Sequence, residues 1–275
     1  MIRDKIRSAG VAGNFYSANK MILERDLSLL LENSPILEIP HPIRGLIVPH
    51  AGYMYSGGVA ARAYSQLISQ KYDLAVIIAP SHHEYFEYLS VYSGYGFESP
   101  LGLVLVDQNS ANEFESLHPD IQLSERGYSL SEHSLEVQLP LLKWVLDDMK
   151  ILPIMMANQG HEANQILTEA LTGFLKDKNY LVIASSDLSH FHSDQVARSM
   201  DQVALNHINN FEPDRLFEDI IGKRCEMCGY GPVIVTMKVN SNLSANHAKV
   251  LIHRTSADLT GDKTSVVGYL SAIIY

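Results

Sequence analysis

Three apolar runs in this chain end in polar clusters that carry histidine: GLIVPHAGY, AVIIAPSHHEY and LVIASSDLSHFH. They bring forward His50, His82, His83, Asp187, His190 and His192. Imidazole and carboxylate bind transition metals and exchange protons near neutral pH, so these residue types suit a metal centre or acid–base chemistry. His82 and His83 are adjacent, and neighbouring side chains of an extended segment point opposite ways, so at most one of them should be a ligand. A fourth segment, RCEMCGYGPVIVTMKV, holds the only two cysteines, Cys225 and Cys228. Gly229, Gly231 and Pro232 read as the entry to a helix, whose free amides would face Cys228 and lower its pKa. Cys228 is therefore a candidate thiolate, with a pair of buried inert cysteines as the plain alternative. Two cysteines exclude a four-cysteine zinc site, and the C-x-x-C spacing lacks the βαβ context of a thioredoxin-like dithiol.

In SLSEHSLEVQLP, Glu132, His133 and Glu136 read as the opening of a helix, capped by Ser129 or Ser131 and with acids at its positive end. His133 and Glu136 would then share one face, so helix capping and a proton-transfer or ligand-supporting pair both stay open. The chain has no phosphate-binding loop, dinucleotide fingerprint, H-E-x-x-H zinc helix or G-x-S-x-G elbow.

The elements that must position these residues alternate between short apolar runs and helical periods, which predicts an α/β architecture. Strands are expected at Gly45–Val48, Leu74–Ala79, Ile151–Met156 and Tyr180–Ala184. Helices are expected at Asn19–Leu31 with Asn19 as N-cap, at Gly57–Ile68, Glu162–Leu175 and Asp194–Ile208, and at Pro213–Ile221 with an N1 proline. Leu135, Leu139, Leu142 and Leu146 follow a helical period that Pro140 should break near Leu139. Lys249–Thr255 and Ser265–Ile274 flank a turn at Thr260-Gly261-Asp262 and predict an antiparallel pair, hence a mixed sheet. Ligands of open α/β sheets gather at the carboxyl ends of strands, so the histidine clusters could meet although distant in sequence. No linker or repeat divides the chain, and one domain over 1–275 is expected.

The 275 residues are 46% hydrophobic and 19% charged, enough to bury a core. A formal charge of -10 repels phosphate backbones, so nucleic acid is not an expected partner. The strongest apolar run, Leu74 to Pro80, is far short of a membrane span, and MIRDKIRSAG has no apolar signal region. A cytoplasmic location without membrane contact is expected.

The segments AGNFYS, VPHAGYMYSG, APSHH, EHSLEVQLP, SSDLSHF, CGYGP and SVVGYLS, in this order from residue 12 to 271, resemble the Memo family, whose prokaryotic members are also called AmmeMemoRadiSam system protein B. The resemblance implies a three-layer αβα domain with a central mixed sheet, similar to class III extradiol dioxygenases, with a pocket at the strand ends. It implies His50, His82 and Cys228 as the ligands of one transition metal, iron or copper with zinc as an alternative, and His190 and Asp187 as residues lining the same pocket. It also implies a functional association with a radical SAM protein. Ring-cleaving dioxygenases use two histidines and a carboxylate, whereas the third residue here is a thiol, softer and more easily oxidised.

Three functions follow as expectations. The first is a metal-dependent redox enzyme in which His190 serves as acid or base and Asp187 orients it or a bound water. The second is a non-catalytic module that binds a small molecule, peptide or protein. The third is a hydrolase with Cys228 as nucleophile and His190 as base.

Overall fold

The computed structural model describes residues 5–275 of the chain, and it is a mixed α/β structure built on one large sheet. Its strands lie side by side in the order His190–His192, Val266–Ile274, Gly45–Val48, Tyr180–Ser185, Leu74–Pro80, Ile151–Met156, Leu89–Tyr92 and Ile121–Ser124, with Ala248–Thr255 also paired to Val266–Ile274. The four central strands from Gly45–Val48 to Ile151–Met156 run parallel, and the expected strand positions agree to within a residue. Val266–Ile274 joins antiparallel on one side and Leu89–Tyr92 on the other, which makes the sheet mixed. A small second sheet pairs Ile6–Arg7, Gly96–Phe97 and Val104–Leu105.

Central strands are apolar almost throughout because helices cover both faces, Ser185 at the end of Tyr180–Ser185 being the polar exception. In Gly45–Val48, Leu46 and Val48 pack in a cluster with Ala60, Ala63 and Tyr64 of helix Tyr53–Tyr64, while Ile47 packs with Val233, Ile234 and Met237 of helix Tyr230–Asn242. The register carries this alternation across the sheet. Leu46 pairs with Ile183 and Ile273 of the first cluster, and Ile47 pairs with Ala184 and Ala272 of the second. Each fully buried aliphatic side chain of this kind stabilises the fold by about 1.5–3 kcal/mol relative to exposure. Three layers result, with the carboxyl ends of the parallel strands on one edge.

Helix boundaries follow local chemistry. Asn19 caps Lys20–Glu32 by accepting from the Ile22 amide at 3.2 Å, and Pro213 opens Pro213–Ile221. Tyr53–Tyr64 starts four residues before the expected Gly57 and ends in a short 3-10 turn, Ser65–Leu67. Gly57 is no boundary signal here: a side chain at that position would meet Leu30 and Tyr53 at 3.1 Å, so the glycine answers close helix packing. Gly261, in the expected turn, holds φ at 75° after the short helix Ala257–Thr260, a conformation that suits glycine.

The helix expected to open at Glu132 is a correction. Residues 129–137 form turns, and the helix is Gln138–Val145, with Pro140 in its first turn where a missing amide donor costs nothing. Ser129 and Ser131 cap no helix and bond one another at 3.1 Å. The segment is held instead from outside, with Ser134 Oγ donating to the Pro80 carbonyl at 2.7 Å. Glu136 accepts from the Gly10 and Val11 amides, the Tyr16 hydroxyl and the buried Arg7 guanidinium, so it is a structural anchor and not a proton-transfer partner of His133. No helix among the described residues is long and apolar enough to cross a membrane.

Candidate metal centre

His50 follows the strand Gly45–Val48, His82 follows Leu74–Pro80, and Asp187 follows Tyr180–Ser185. These strands are parallel, so their carboxyl ends bring the three residues to one edge. Cys228 arrives from the loop before helix Tyr230–Asn242. One ligand atom each from His50, His82 and Cys228 lie within 4.8 Å of one another, and the Cys228 sulfur is 3.1 Å from His50 Nε2. Of the adjacent histidines, both exposed, it is His82 that joins the group.

Hydrogen bonds fix which nitrogen of each ring is free. Ser185 Oγ has one proton, which it donates to the Ser134 carbonyl at 2.6 Å, and it accepts from Gln138 Nε2 at 2.9 Å. Its contact with His50 Nδ1 at 2.8 Å must then be an Nδ1–H donating to the hydroxyl. Gln138 is held in this orientation because Tyr64 donates to its Oε1 at 3.1 Å and its Nε2 also donates to the Pro49 carbonyl. His82 Nδ1 donates to Glu132 Oε1 at 3.0 Å. Each ring therefore spends its one N–H behind the site and presents a bare Nε2 lone pair. A carboxylate or hydroxyl behind a ligating imidazole is the usual device for orienting it toward an ion.

Glu132 is almost fully buried. Burial opposes its charge, but the His82 ring and amide and the Ser134 amide outweigh this and hold the carboxyl at about 2. His50 is pushed well below the ordinary imidazole range by burial and by His82, His133 and His190 nearby. His133 is pushed down to about 4, again first by burial and then by His82. Its ring stacks on His82 with centroids 4.8 Å apart and lies 4.7 Å from Phe15. Burial thus favours the neutral imidazole, the form that binds metal, at His50 and His133.

His190 donates Nδ1–H to the Leu188 carbonyl at 2.8 Å, leaving Nε2 bare, and burial lowers its pKa. Asp187 is bonded toward His50. Its Oδ1 accepts from the His50 amide at 2.8 Å and its Oδ2 lies 4.0 Å from His50 Nε2, so it braces the His50 turn and not the His190 ring. Burial pushes its carboxyl up to about 7. His192 Nε2–H donates to Glu226 Oε2 at 3.0 Å at the rim.

Cys228 overturns one expectation. Burial, and then the Asp187 carboxyl, push its thiol upward rather than down, because the sulfur is packed against Asp187 and its amide rather than open to solvent at the helix entry. Burial thus holds a metal-free Cys228 toward the thiol form, with His50 Nε2 as the nearest proton acceptor at 3.1 Å. Cys225 is fully buried and raised as well, to about 12, in keeping with an inert core residue.

The donors fit a first-row transition metal: two oriented lone pairs and a thiol that such an ion would deprotonate. Sequence reasoning missed the hydrogen-bonding residues behind the ligands. Ser185 sits in the SSD cluster, a polar signal at a strand end, but Gln138 and Tyr64 carry no local signal at all.

A sequence profile described as Memo-like protein matches residues 7–273. MEMO1 family proteins of Methanobrevibacter smithii and Nitrosopumilus maritimus are 36% and 34% identical, aligned over 98% and 96% of this chain and 99% and 98% of their own. One from Saccharolobus solfataricus is 39% identical over 82% of this chain and 81% of its own. Among solved structures, an uncharacterized protein, JW3007 of Escherichia coli K12, shares the fold with a TM-score of 0.53 at 12% identity, over 85% of this chain and all of that one.

Proposed function

The chain belongs to the Memo family, and we propose that it is a metal-binding protein whose His50, His82 and Cys228 hold one iron or copper ion for redox chemistry. The observation that carries this reading is the pair of imidazoles with proton-free Nε2 atoms gathered with one sulfur within 4.8 Å. A bound ion there would polarise a ligand or exchange an electron with it. The chain's own residues supply the rest. His190, neutral and anchored through Leu188, holds or takes a proton at Nε2. Asp187 fixes the His50 turn through its backbone amide. His133, stacked on His82, closes one side of the site. Zinc remains compatible with the same donors, since ligand preference overlaps among these metals.

A second reading, a non-catalytic module for a small molecule, peptide or protein, is favoured by the thiol. A sulfur ligand is more easily oxidised than the carboxylate of ring-cleaving enzymes, so oxygen chemistry would threaten the site itself. Family resemblance adds a radical SAM partner to the proposal, and the sequence expectation adds a cytoplasmic setting.

Elemental analysis of protein purified without added metal, beside His50→Ala and Cys228→Ala, tests it. Near-stoichiometric iron or copper that disappears in both variants is expected, and unchanged metal content in both removes the centre. Oxygen uptake by the loaded protein with a reducing substrate separates the enzyme from the binding module.

A further inference from the structure

Five non-glycine residues among those described have positive φ: Ser69, Phe191, Phe211, Lys223 and Ser244. Four of them end helices. Phe211, Lys223 and Ser244 each precede a residue whose amide reaches back into the last turn, from Glu212 to the His207 carbonyl, Arg224 to Asp219 and Ala245 to Asn240, all at 2.8 Å. Ser69 follows the 3-10 turn Ser65–Leu67, and the next amide bonds the Leu67 carbonyl at 2.9 Å. These are ordinary left-handed helix caps. Phe191 alone ends no helix.

Phe191, at φ 65°, lies in the edge strand His190–His192, where the pairing with Val266–Ile274 slips. The residues on either side are tied down. His190 donates Nδ1–H to the Leu188 carbonyl, and His192 Nε2 lies 3.0 Å from Glu226 Oε2. A left-handed conformation is unfavourable for a residue with a Cβ, and glycine or asparagine would supply the same kink at lower cost. The ring recovers nothing by burial, since the residue is 77% exposed. Among the described residues its only aromatic neighbour is His190, at 5.6 Å and edge to face. A bulky side chain that costs backbone strain and gains no core contact has no account in the stability of the fold.

We propose that Phe191 is a specificity-determining residue, which packs against an apolar substituent carried by the ligand beside the atom that meets the centre. This rests on the metal reading of His50, His82 and Cys228. Phe191 meets the His190 ring edge to face at 5.6 Å, and His190 lies close enough to His50 and His82 to interact with both, so Phe191 adjoins a residue that flanks the centre. The ligand class it selects is a small donor with an uncharged apolar group next to the donor atom, and a small polar or charged ligand gains nothing from it.

The probes are imidazole and 4-phenylimidazole, titrated into cobalt(II)-loaded protein, whose visible bands report an added ligand. In the unaltered protein 4-phenylimidazole should bind about three- to tenfold more tightly than imidazole, the range of one aromatic contact. Phe191→Gly should reduce the ratio to near unity while raising the melting temperature, because glycine adopts this φ without strain. A residue kept only for structure would show no change in the ratio. A cobalt spectrum with equal affinities in the unaltered protein, or a preference that survives in Phe191→Gly, overturns the role of Phe191 and leaves the metal centre standing. Absence of any cobalt bands that depend on Cys228 removes the centre, and this role with it.

Discussion

Histidine occurs in two contrasting settings in this molecule. At the strand ends, His50 and His82 each give one N–H to a single acceptor, Ser185 or Glu132, and keep one lone pair facing the other ligands. Between helices Asp194–Asn209 and Pro213–Ile221, His207 meets a carboxylate at each nitrogen, Glu212 at 3.0 Å and Asp219 at 2.8 Å. Burial disfavours its charge, but the two carboxylates prevail and raise its pKa. With both nitrogens donating, His207 has no lone pair for a cation. Proximity of histidine to acids therefore does not make a metal site; one acceptor per ring leaves a lone pair that an ion could take, and two make an ion pair.

The largest effect expected from this contrast is on metal occupancy. His50→Ala or Cys228→Ala should lower affinity at least about 100-fold by removing a ligand outright, whereas His207→Ala should leave it unchanged, as read by competition with a chelator. Metal loss in His207→Ala to the same degree would erase the distinction. Next come the residues behind the ligands. Glu132→Gln and Ser185→Ala keep all three ligands but loosen or misdirect a ring, and each should cost about 10- to 100-fold in affinity. An unchanged chelator titration for both would mean that the rings are held by packing alone. A smaller effect is expected on thiol chemistry: in metal-free protein Cys228 should react with iodoacetamide far more slowly than a free cysteine at pH 7.5, because its thiol is held protonated. Fast stoichiometric labelling of Cys228 would contradict that environment.

The clustering of His50 and His82 at strand ends is legible in the sequence, and the bonds that surround them are not, for a physical reason. His50, His82 and Asp187 stand where apolar strands give way to polar residues, a change visible in one dimension. Parallel strands then guarantee that such ends lie together. The supporting bonds join residues far apart in the chain through single hydroxyls and amides: Ser185 and Gln138 to His50, Glu132 to His82. Nothing in the neighbourhood of Gln138 distinguishes it from a surface glutamine. The helix expected at Glu132 failed for a related cause. Glu132 accepts from the His82 amide, Ser134 donates to the Pro80 carbonyl, and the expected capping residues Ser129 and Ser131 bond one another, so these contacts replace the bonds a helix would have made. The thiol was misjudged because helix entry favours a thiolate only where burial does not outweigh it.

The two settings also predict opposite responses to acid, measured on metal-free protein. His207 has a native pKa above its unfolded value of about 6.5, so its ion pairs contribute fully below that pH and fade as pH rises through the raised value. His207→Gln should therefore lower the melting temperature most near pH 5.5 and less at pH 9, by a modest amount that salt reduces, since the neighbouring Arg224 and Arg215 pairs are exposed. His133 behaves in the reverse sense. With a native pKa of about 4, it stays neutral while the unfolded chain takes up a proton, so the native state loses stability as pH falls from about 6.5 toward 4. His133→Gln should escape that loss, and its melting temperature relative to the unaltered protein should climb on acidification where that of His207→Gln drops. Parallel pH profiles for the two variants would show that both histidines sit in the same electrostatic setting and that the contrast between the regions is not real.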